Sequence, residues 1–214
     1  MDSKTHWEKV YQTKAANEVS WYRAHLDKSL ALIERAAPDL NATIIDIGGG
    51  EATLVDDLIE RGYQHLNVLD ISQAAISQRE GFANDTTRQR LSTVAERINW
   101  LVTHIVTADL PSQQYDVWHD RAVFHFLTLP AQRAAYVRQV LDAVKPGGHV
   151  IIATFGLDGL EKCSGLKIVR YNAGSLQAEF GDRFQLLETS MELHKTPFDT
   201  TQQFLYCHYL IAIP

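Results

Sequence analysis

Three consecutive glycines follow a short β-branched run in this sequence, and that junction restricts the fold more than any other feature of the chain. The run, Thr43–Ile47, has the composition of a buried strand, and the glycines at 48–50 end it. In residues 51–61 the apolar positions fall on one helical face, and Gly62 is suited to end that helix. The sequence therefore predicts a strand, a tight turn and a helix in immediate succession.

Short apolar runs alternate with longer segments of helical period in the rest of the chain, a pattern typical of α/β proteins. Further strands are predicted at residues 66–69, 99–102, 115–119, 150–155, 184–194 and 203–213. The last two are separated by a polar segment at 195–199, which indicates a hairpin. The predicted fold is α/β, a doubly wound sheet of seven strands that is mostly parallel and ends in a C-terminal antiparallel hairpin.

Helices are predicted in the segments between these strands. They span residues 26–36, 72–79, 85–97 and 130–144, with Ser72 as one N-cap, Asp85 or Thr86 as another, and Pro130 in a first turn. The run 145–148 ends the last helix. No linker rich in glycine, serine or proline divides the 214 residues, so we expect a single domain. Residues 1–40 form a helical N-terminal preamble or lid, and residues 41–214 form the main domain.

Composition excludes several classes of function. Twenty basic and 26 acidic residues give a net charge of −6, and the basic ones are scattered, which argues against nucleic acid as a partner. The N-terminus lacks an apolar signal core and no apolar run reaches membrane-spanning length, so we expect a cytoplasmic protein with no membrane partner. Cys163 and Cys207 are too few for a disulfide framework or a zinc site, and no metal site is predicted.

An aspartate at the end of the second predicted strand suggests what the glycine turn binds. Asp70 follows the glycines by about 20 residues, the position at which a carboxylate accepts hydrogen bonds from the ribose hydroxyls. Residues without a Cβ let a ligand approach the backbone, and the helix that follows presents unpaired N–H groups. These features together predict a nucleoside site.

The spacing of the turn distinguishes between nucleoside ligands. A dinucleotide fingerprint, G-x-G-x-x-G/A, fails because Thr53 stands at its third position. The turn instead reads D-x-G-x-G-x-A from Asp46 to Ala52, which resembles the first motif of class I S-adenosylmethionine-dependent methyltransferases. Residues 115–127 resemble the fourth strand and following loop of that family, and residues 145–148 resemble the turn before its fifth strand. The resemblance extends to small bacterial types near the thiopurine and tellurite-resistance methyltransferases, and it implies a Rossmann-like fold with S-adenosylmethionine as the cofactor.

The resemblance also implies which residues bind the cofactor. They are Trp21, Tyr22, Asp46, Gly48, Gly49, Gly50, Asp70, Ile71, His104 and Asp120. Asp46 and the glycines surround the methionine part, Asp70 holds the ribose, and Ile71 covers one face of the adenine. Of the N-terminal aromatic residues, Trp21 or Tyr22 is expected to cover the site.

One position departs from the pattern of the family. His104 stands where the family often carries an aspartate that accepts a hydrogen bond from the adenine amine. Asp109 is the alternative if the third strand ends later than predicted. A histidine accepts that bond only through an unprotonated ring nitrogen, so His104 predicts adenine binding that depends on pH. A loop histidine that leaves the adenine to the backbone is the other interpretation.

The predicted fourth strand ends at residues that the resemblance places beside the methyl group. Asp120, Arg121 and His125 are therefore the catalytic candidates, since ligands of doubly wound folds bind at the carboxyl ends of the strands. Structural alternatives stay open, because Asp120 could pair with Arg121 and His125 could cap a helix or fill its face. A thiolate acceptor would arrive ionised and need no general base, whereas an amine or a hydroxyl would need one.

These observations predict an enzyme that transfers a methyl group from S-adenosylmethionine to a small nucleophile, such as a thiol or another soft acceptor. Protein lysine methylation is the alternative activity, because the N-terminal preamble also resembles small methyltransferases that modify translation factors. An NAD-binding oxidoreductase and a non-catalytic cofactor-binding scaffold are the alternatives from other classes. We expect a monomer or a homodimer whose partner is a small-molecule methyl acceptor.

Overall fold

A seven-stranded sheet forms the centre of the protein in a computed structural model that describes residues 3–81 and 98–213. The strands are β1 (Thr43–Ile47), β2 (His65–Asp70), β3 (Ile98–Val102), β4 (Tyr115–Arg121), β5 (Val144–Phe155), β6 (Lys162–Cys163), β7 (Leu166–Lys167), β8 (Phe184–Lys195) and β9 (Thr201–Ile211). The sheet order is β3-β2-β1-β4-β5-β9-β8, and β6 pairs with β7 in a separate ribbon. Strands β1 to β5 are parallel, and β9 runs antiparallel to both of its neighbours. This topology confirms the predicted Rossmann-like fold.

Six α-helices occur in the described part of the chain. They are α1 (Ser3–Thr13), α2 (Asp27–Ala36), α3 (Leu54–Glu60), α4 (Gln73–Gly81), α5 (Pro130–Ala143) and α6 (Ala173–Phe180). The sequence analysis did not predict α6, although Asn172 and Ser175 form a reciprocal capping box at its start. The helix predicted from Asp85 or Thr86 to about residue 97 lies outside the described residues. No helix within the described ranges is long and apolar enough to span a membrane.

Strands β1, β2 and β4 are buried on both faces of the sheet, and their side chains alternate between two halves of the core. On β1, Ile44 packs with α2 and α3, whereas Ile45 packs on the other face with α5 and α6. Val117 and Trp118 divide between the same two halves on β4. Burial on both faces explains why these strands are continuous apolar runs in the sequence.

The junction between α5 and β5 differs from the sequence prediction. The run 145–148 is predicted to precede a strand that starts at 150, but β5 already begins at Val144. Val144 pairs with Tyr115, and a register shift follows before regular pairing resumes. Gly147 has a φ of +77°, a conformation that glycine adopts without strain, so an irregular strand start replaces the predicted turn.

Candidate functional site

A cleft opens at the carboxyl ends of β1, β2 and β4, where the strand order of the sheet reverses. Two adjoining cavities of about 150 Å³ and 60 Å³ form this cleft. They share the lining residues Tyr11, Trp21, Ile47, Gly48 and Arg121. Ligands of open α/β sheets bind at such a reversal, in the crevice outside the carboxyl ends of the strands. The cleft is therefore the candidate site.

The glycine turn holds two aspartates against the floor of the cleft. A Cβ on Gly49 would lie 2.5 Å from Oδ2 of Asp46, and a Cβ on Gly50 would lie 2.7 Å from Oδ2 of Asp70. Gly48 has a φ of +70°, and its N–H donates to a backbone carbonyl of β2 over 2.6 Å. Residues with a Cβ at 49 and 50 would displace the carboxylates, so the glycines are needed for this close approach.

A histidine that the sequence analysis did not single out orients Asp46. Nδ1 of His119 lies 2.7 Å from Oδ1 of Asp46, and Nε2 of His119 lies 2.9 Å from Oγ of Ser29. All three side chains are buried. Asp46 and His119 are register partners in the β1–β4 pair, yet they are 73 residues apart in the chain. No local motif could have identified this contact, because only strand pairing creates it.

Asp70 ends β2 with its carboxylate at the larger cavity. Oδ1 accepts the backbone N–H of Ser72 over 2.8 Å. Burial raises the pKa of Asp70 to about 7 and the nearby charge of Asp46 adds to the shift, while backbone hydrogen bonds from Ser72 and Ile71 oppose it. Asp70 and Ile71 both line the larger cavity, where the sequence analysis expects the ribose and the adenine.

Of the two candidates for the adenine contact, His104 lines the larger cavity and Asp109 is an exposed loop residue. Nδ1 of His104 accepts the backbone N–H of Val106 over 3.2 Å. A neutral imidazole with Nδ1 as acceptor carries its hydrogen on Nε2. In this geometry Nε2 of His104 is a donor, whereas the expected bond from the adenine amine needs an acceptor.

Arg121 lies between the two cavities with a buried guanidinium. Its Nε donates to the hydroxyl of Tyr206 and its Nη1 donates to the carbonyl of Trp21, each over 3.2 Å. The guanidinium carbon lies 4.2 Å from the ring centroid of Phe204. Nη2 is buried and makes no hydrogen bond within the described part of the chain, and its ion-pair partner there is Glu192, 3.9 Å away. Arg121 is the catalytic candidate that the structure brings to the cleft.

Asp120, the second catalytic candidate, lines neither of these cavities. Its carboxylate is buried and accepts the backbone N–H groups of Val123 and Phe124 over 2.8 and 3.0 Å. It also accepts the hydroxyl of Tyr136 over 2.6 Å. Burial raises the pKa of Asp120 to about 6, and the hydrogen bonds partly offset that effect. The partners of Asp120 are therefore Tyr136 and the following turn, not Arg121.

His125, the third catalytic candidate, also lies outside the lining of the cleft. Its Nδ1 accepts the backbone N–H of Phe155 over 3.3 Å, and its ring contacts those of Phe126 and Phe155. Burial lowers the pKa of His125 to about 3, and the charge of Arg121 adds to the shift, so the imidazole is neutral at physiological pH. This placement agrees with the structural alternative, in which His125 fills an inner face.

Aromatic side chains from the N-terminal preamble line the cleft. The ring centroid of Trp7 lies 5.6 Å from that of Trp21 and 5.1 Å from that of Phe126. Tyr11, one turn after Trp7, lines both cavities, and Tyr22 lines the smaller one. The sequence analysis favoured Trp21 or Tyr22 over the two aromatic residues of α1, but all four border the cleft.

A carboxylate on α1 caps the N-terminus of α4. Glu8 accepts the backbone N–H groups of Gln73 and Ala74 over 2.6 and 3.1 Å, and the hydroxyl of Ser72 over 3.2 Å. The first N–H groups of a helix have no partner within it and attract negative charge, so this cap fastens α1 over the cleft. Oγ of Ser72 accepts the N–H of Ala75 over 3.2 Å, which makes Ser72 the N-cap that the sequence predicts.

Comparison with known proteins places residues 45–150 in a family described as a methyltransferase domain. The chain is 23% identical over 149 residues to the eEF1A lysine and N-terminal methyltransferase of Mus musculus, an alignment that covers 70% of this chain and 20% of that protein. The corresponding protein of Bos taurus is 24% identical over 119 residues, covering 56% of this chain and 16% of that protein. The chain therefore spans about a fifth of the length of the curated relatives it matches.

Solved structures show the same fold at low sequence identity. A SAM-dependent methyltransferase from Methanosarcina mazei superposes with a TM-score of 0.68 at 15% identity, covering 82% of this chain and 95% of that one. The 1,6-didemethyltoxoflavin-N1-methyltransferase of Burkholderia thailandensis, solved with its substrate and S-adenosylhomocysteine, has a TM-score of 0.65 at 14% identity. That comparison covers 98% of this chain and 84% of the other.

Proposed function

The chain belongs to the class I S-adenosylmethionine-dependent methyltransferases, and on that premise we propose that it methylates a small nucleophile, such as a thiol or another soft acceptor. The observation that carries this proposal is the pair of buried aspartates, Asp46 and Asp70, held against the glycine turn in one cleft. A carboxylate at the end of β2 fits a ribose, and a glycine turn admits a ligand close to the backbone.

The residues of the cleft fit the two ends of the cofactor. Asp70 and Ile71 line the larger cavity and would hold the ribose and one face of the adenine. Asp46 and the glycine turn line the smaller cavity and would hold the methionine part, with His119 fixing the orientation of the Asp46 carboxylate. When bound, S-adenosylmethionine supplies an electrophilic methyl group whose sulfonium charge disappears on transfer to the acceptor.

Asp70 and His104 line the larger cavity but are assigned to the ribose and the adenine, and the thiol of the same cavity offers no general base to an acceptor that must lose a proton. Burial raises the pKa of Cys163, which lines this cavity, to about 12, so its thiol stays neutral. Asp120 and His125 are turned into the interior, where we propose that they support the loop after β4 instead of touching the acceptor. An acceptor that arrives already ionised, such as a thiolate, needs only alignment and exclusion of water from this chain.

The aromatic residues of the preamble would supply that exclusion. Trp7 and Trp21 cover the cleft with large rings, and Glu8 ties α1 to the main domain. Rings of this kind also attract a cationic sulfonium through their faces. The preamble is thus proposed to act as a lid over the cofactor and the acceptor.

Protein lysine methylation is the second candidate, and the similarity to the murine eEF1A lysine and N-terminal methyltransferase is the observation that favours it. A lysine acceptor carries a positive charge before it reacts and must lose a proton, so it calls for acidic groups near the transferred methyl. We propose that Arg121, which lines both cavities, stands beside the transferred methyl, where its positive charge disfavours a lysine ammonium. We therefore rank a small, soft acceptor first.

Titration calorimetry with S-adenosylhomocysteine and, separately, NADH at pH 7.5 tests the proposed function. We expect micromolar binding of S-adenosylhomocysteine and no binding of NADH. A panel of thiols and a lysine-containing peptide, assayed with S-adenosylmethionine, then ranks the acceptors. Failure of S-adenosylhomocysteine to bind would overturn the proposal, and methylation of the peptide alone would replace it with the second candidate.

A further inference from the structure

The guanidinium of Arg121 has one donor group to which residues 3–81 and 98–213 offer no hydrogen bond. Its side chain is only 6% exposed, so water does not readily replace a missing partner. Nε and Nη1 are engaged by Tyr206 and by the carbonyl of Trp21, whereas no described residue forms a hydrogen bond with Nη2. Buried polar groups are normally hydrogen-bonded, so an unpaired charged donor beside a cavity indicates a ligand.

The carboxylate nearest to Arg121 is already occupied by other groups. The carboxylate that approaches it is Glu192, at 3.9 Å, and this group is already bound to Arg23 over 2.6 Å and to the hydroxyl of Tyr206 over 3.2 Å. Glu192 is thus shared with Arg23, which also pairs with Asp27 over 3.8 Å. The carboxylate of Asp46 is held by His119. Asp70, the carboxylate that lines the larger cavity with Arg121, is assigned to the ribose, so Nη2 of Arg121 has no carboxylate within hydrogen-bond distance among the described residues.

The side chains that line the larger cavity around Arg121 are flat and apolar. Trp7, Trp21, Phe126 and Phe204 line the larger cavity with Arg121, and their rings meet edge to face or lie beneath the guanidinium. Aromatic walls favour a planar ligand through stacking and edge contacts. A low-polarity surrounding also strengthens the attraction between Arg121 and an opposite charge.

We propose that the methyl acceptor is a small aromatic or heteroaromatic anion whose negative group pairs with Nη2 of Arg121. This inference rests on the proposed function, because it names the substrate class of the same site. The anion supplies the missing hydrogen-bond partner of Nη2, while the ring lies among the tryptophan and phenylalanine side chains. The positive charge of Arg121 repels a lysine ammonium, which separates this acceptor class from a protein substrate.

Three unreactive probes test the pairing with the full-length protein saturated with S-adenosylhomocysteine. Benzoate and benzamide have nearly the same shape and differ in charge, and acetate keeps the charge without the ring. We expect ligand-observed NMR to give at least tenfold tighter binding of benzoate than of either other probe. Equal binding of benzoate and benzamide, or of benzoate and acetate, would overturn the proposal. If S-adenosylhomocysteine itself does not bind, the proposed function fails first, so the two failures are distinguishable.

Variants of Arg121 test whether its side chain causes the preference for benzoate over the other two probes. Arg121→Met should abolish the preference for benzoate, and Arg121→Lys should keep part of it because the charge remains. Arg35→Met, at an exposed arginine paired with Glu188, is the matched control and should leave the preference intact. Thermal unfolding of each variant checks that it is folded.

A second experiment tests whether Arg121 pairs with the carboxylate of the cofactor instead of with the acceptor. Affinities of Arg121→Met are measured for S-adenosylhomocysteine and for 5′-methylthioadenosine, which lacks the amino-acid part. We expect both affinities to change by less than threefold. Selective loss of S-adenosylhomocysteine affinity would show that Arg121 binds the cofactor instead of the acceptor, and the proposal would be wrong.

Discussion

The hydroxyl of Tyr136 on α5 donates to the carboxylate of Asp120 at the end of β4 over 2.6 Å, in the interior below the cleft. The same hydroxyl accepts the indole N–H of Trp118 over 2.8 Å. Asp120 in turn accepts two backbone N–H groups of the following turn. A carboxylate at the position expected of a catalytic group thus joins β4, α5 and the loop that borders the cleft.

Replacement of Asp120 should destabilise the fold. Asp120→Ala leaves two buried backbone N–H groups and the Tyr136 hydroxyl without their acceptor, and each loss of this kind costs about 1–3 kcal/mol. We expect the free energy of unfolding to fall by about 3 kcal/mol or more in urea titrations. Asp142→Ala, at an exposed position of α5, is the control and should change it by less than about 0.5 kcal/mol. Unaltered stability of Asp120→Ala would contradict the role inferred from these contacts.

Binding of S-adenosylhomocysteine should weaken in acid because of Asp70. Its pKa is raised to about 7 in the free protein, so the carboxylate becomes protonated below that pH and loses an acceptor for the ribose. If the ribose binds the ionised form, affinity is full above pH 7 and falls by up to about tenfold per pH unit below it. Calorimetry between pH 5.5 and 8.5 measures this slope.

The variant Asp70→Asn separates this effect from a titration of His104. Asparagine does not ionise, so the pH dependence due to Asp70 disappears. The affinity of the variant for S-adenosylhomocysteine should then be the same at every pH in this range, and lower than that of the parent at pH 8. The raised pKa also means that the ionised Asp70 opposes folding as the pH rises from about 4 to 7. The free variant should therefore be at least as stable as the parent at pH 8. A pH slope that survives in Asp70→Asn would assign it to another group.

Alanine at the glycine turn should disturb the cofactor pocket without unfolding the protein. Gly49→Ala places a Cβ 2.5 Å from the Asp46 carboxylate and must push it away from its bond with His119. We expect affinity for S-adenosylhomocysteine to fall by at least tenfold. Gly174→Ala, in α6, meets only the Asn172 side chain at 3.5 Å and is the control, expected to bind normally. Normal binding by Gly49→Ala would mean that Asp46 does not contact the cofactor.

Loss of the Glu8 carboxylate should loosen the N-terminal helix. Glu8→Gln removes the negative charge that caps α4 and weakens the hydrogen bonds that Gln73 and Ala74 donate. Hydrogen exchange of the backbone amides of α1 should become faster, and S-adenosylhomocysteine should dissociate faster because the lid opens more often. Lys9→Gln, an exposed neighbour on the same helix, serves as the control. Unchanged exchange in Glu8→Gln would show that ring packing alone holds α1.

The succession of the seven sheet strands along the chain and the position of the glycine turn could be read from the sequence, because each depends on local composition and period, whereas the short ribbon of β6 and β7 was not predicted. β1 matches its predicted range, and β2, β4, β8 and β9 lie within two residues of the predicted starts. The predictions that failed, for α6 and for the start of β5, also have local causes. α6 escaped prediction because it is short and lacks a strong apolar period, and the start of β5 was missed because a register shift, rather than a turn, follows α5.

The fold class and the glycine turn with its two aspartates follow from the amino-acid sequence alone, since these lie within short segments whose residue types have few conformational choices. Which side chains face the cleft depends on how the strands pair and pack. Arg121 reaches it while Asp120 and His125 do not, because successive residues of a strand point to opposite faces and the turn after β4 buries the rest. His119 met Asp46 only through strand pairing across 73 residues, a contact set by the sheet register and invisible to any local pattern.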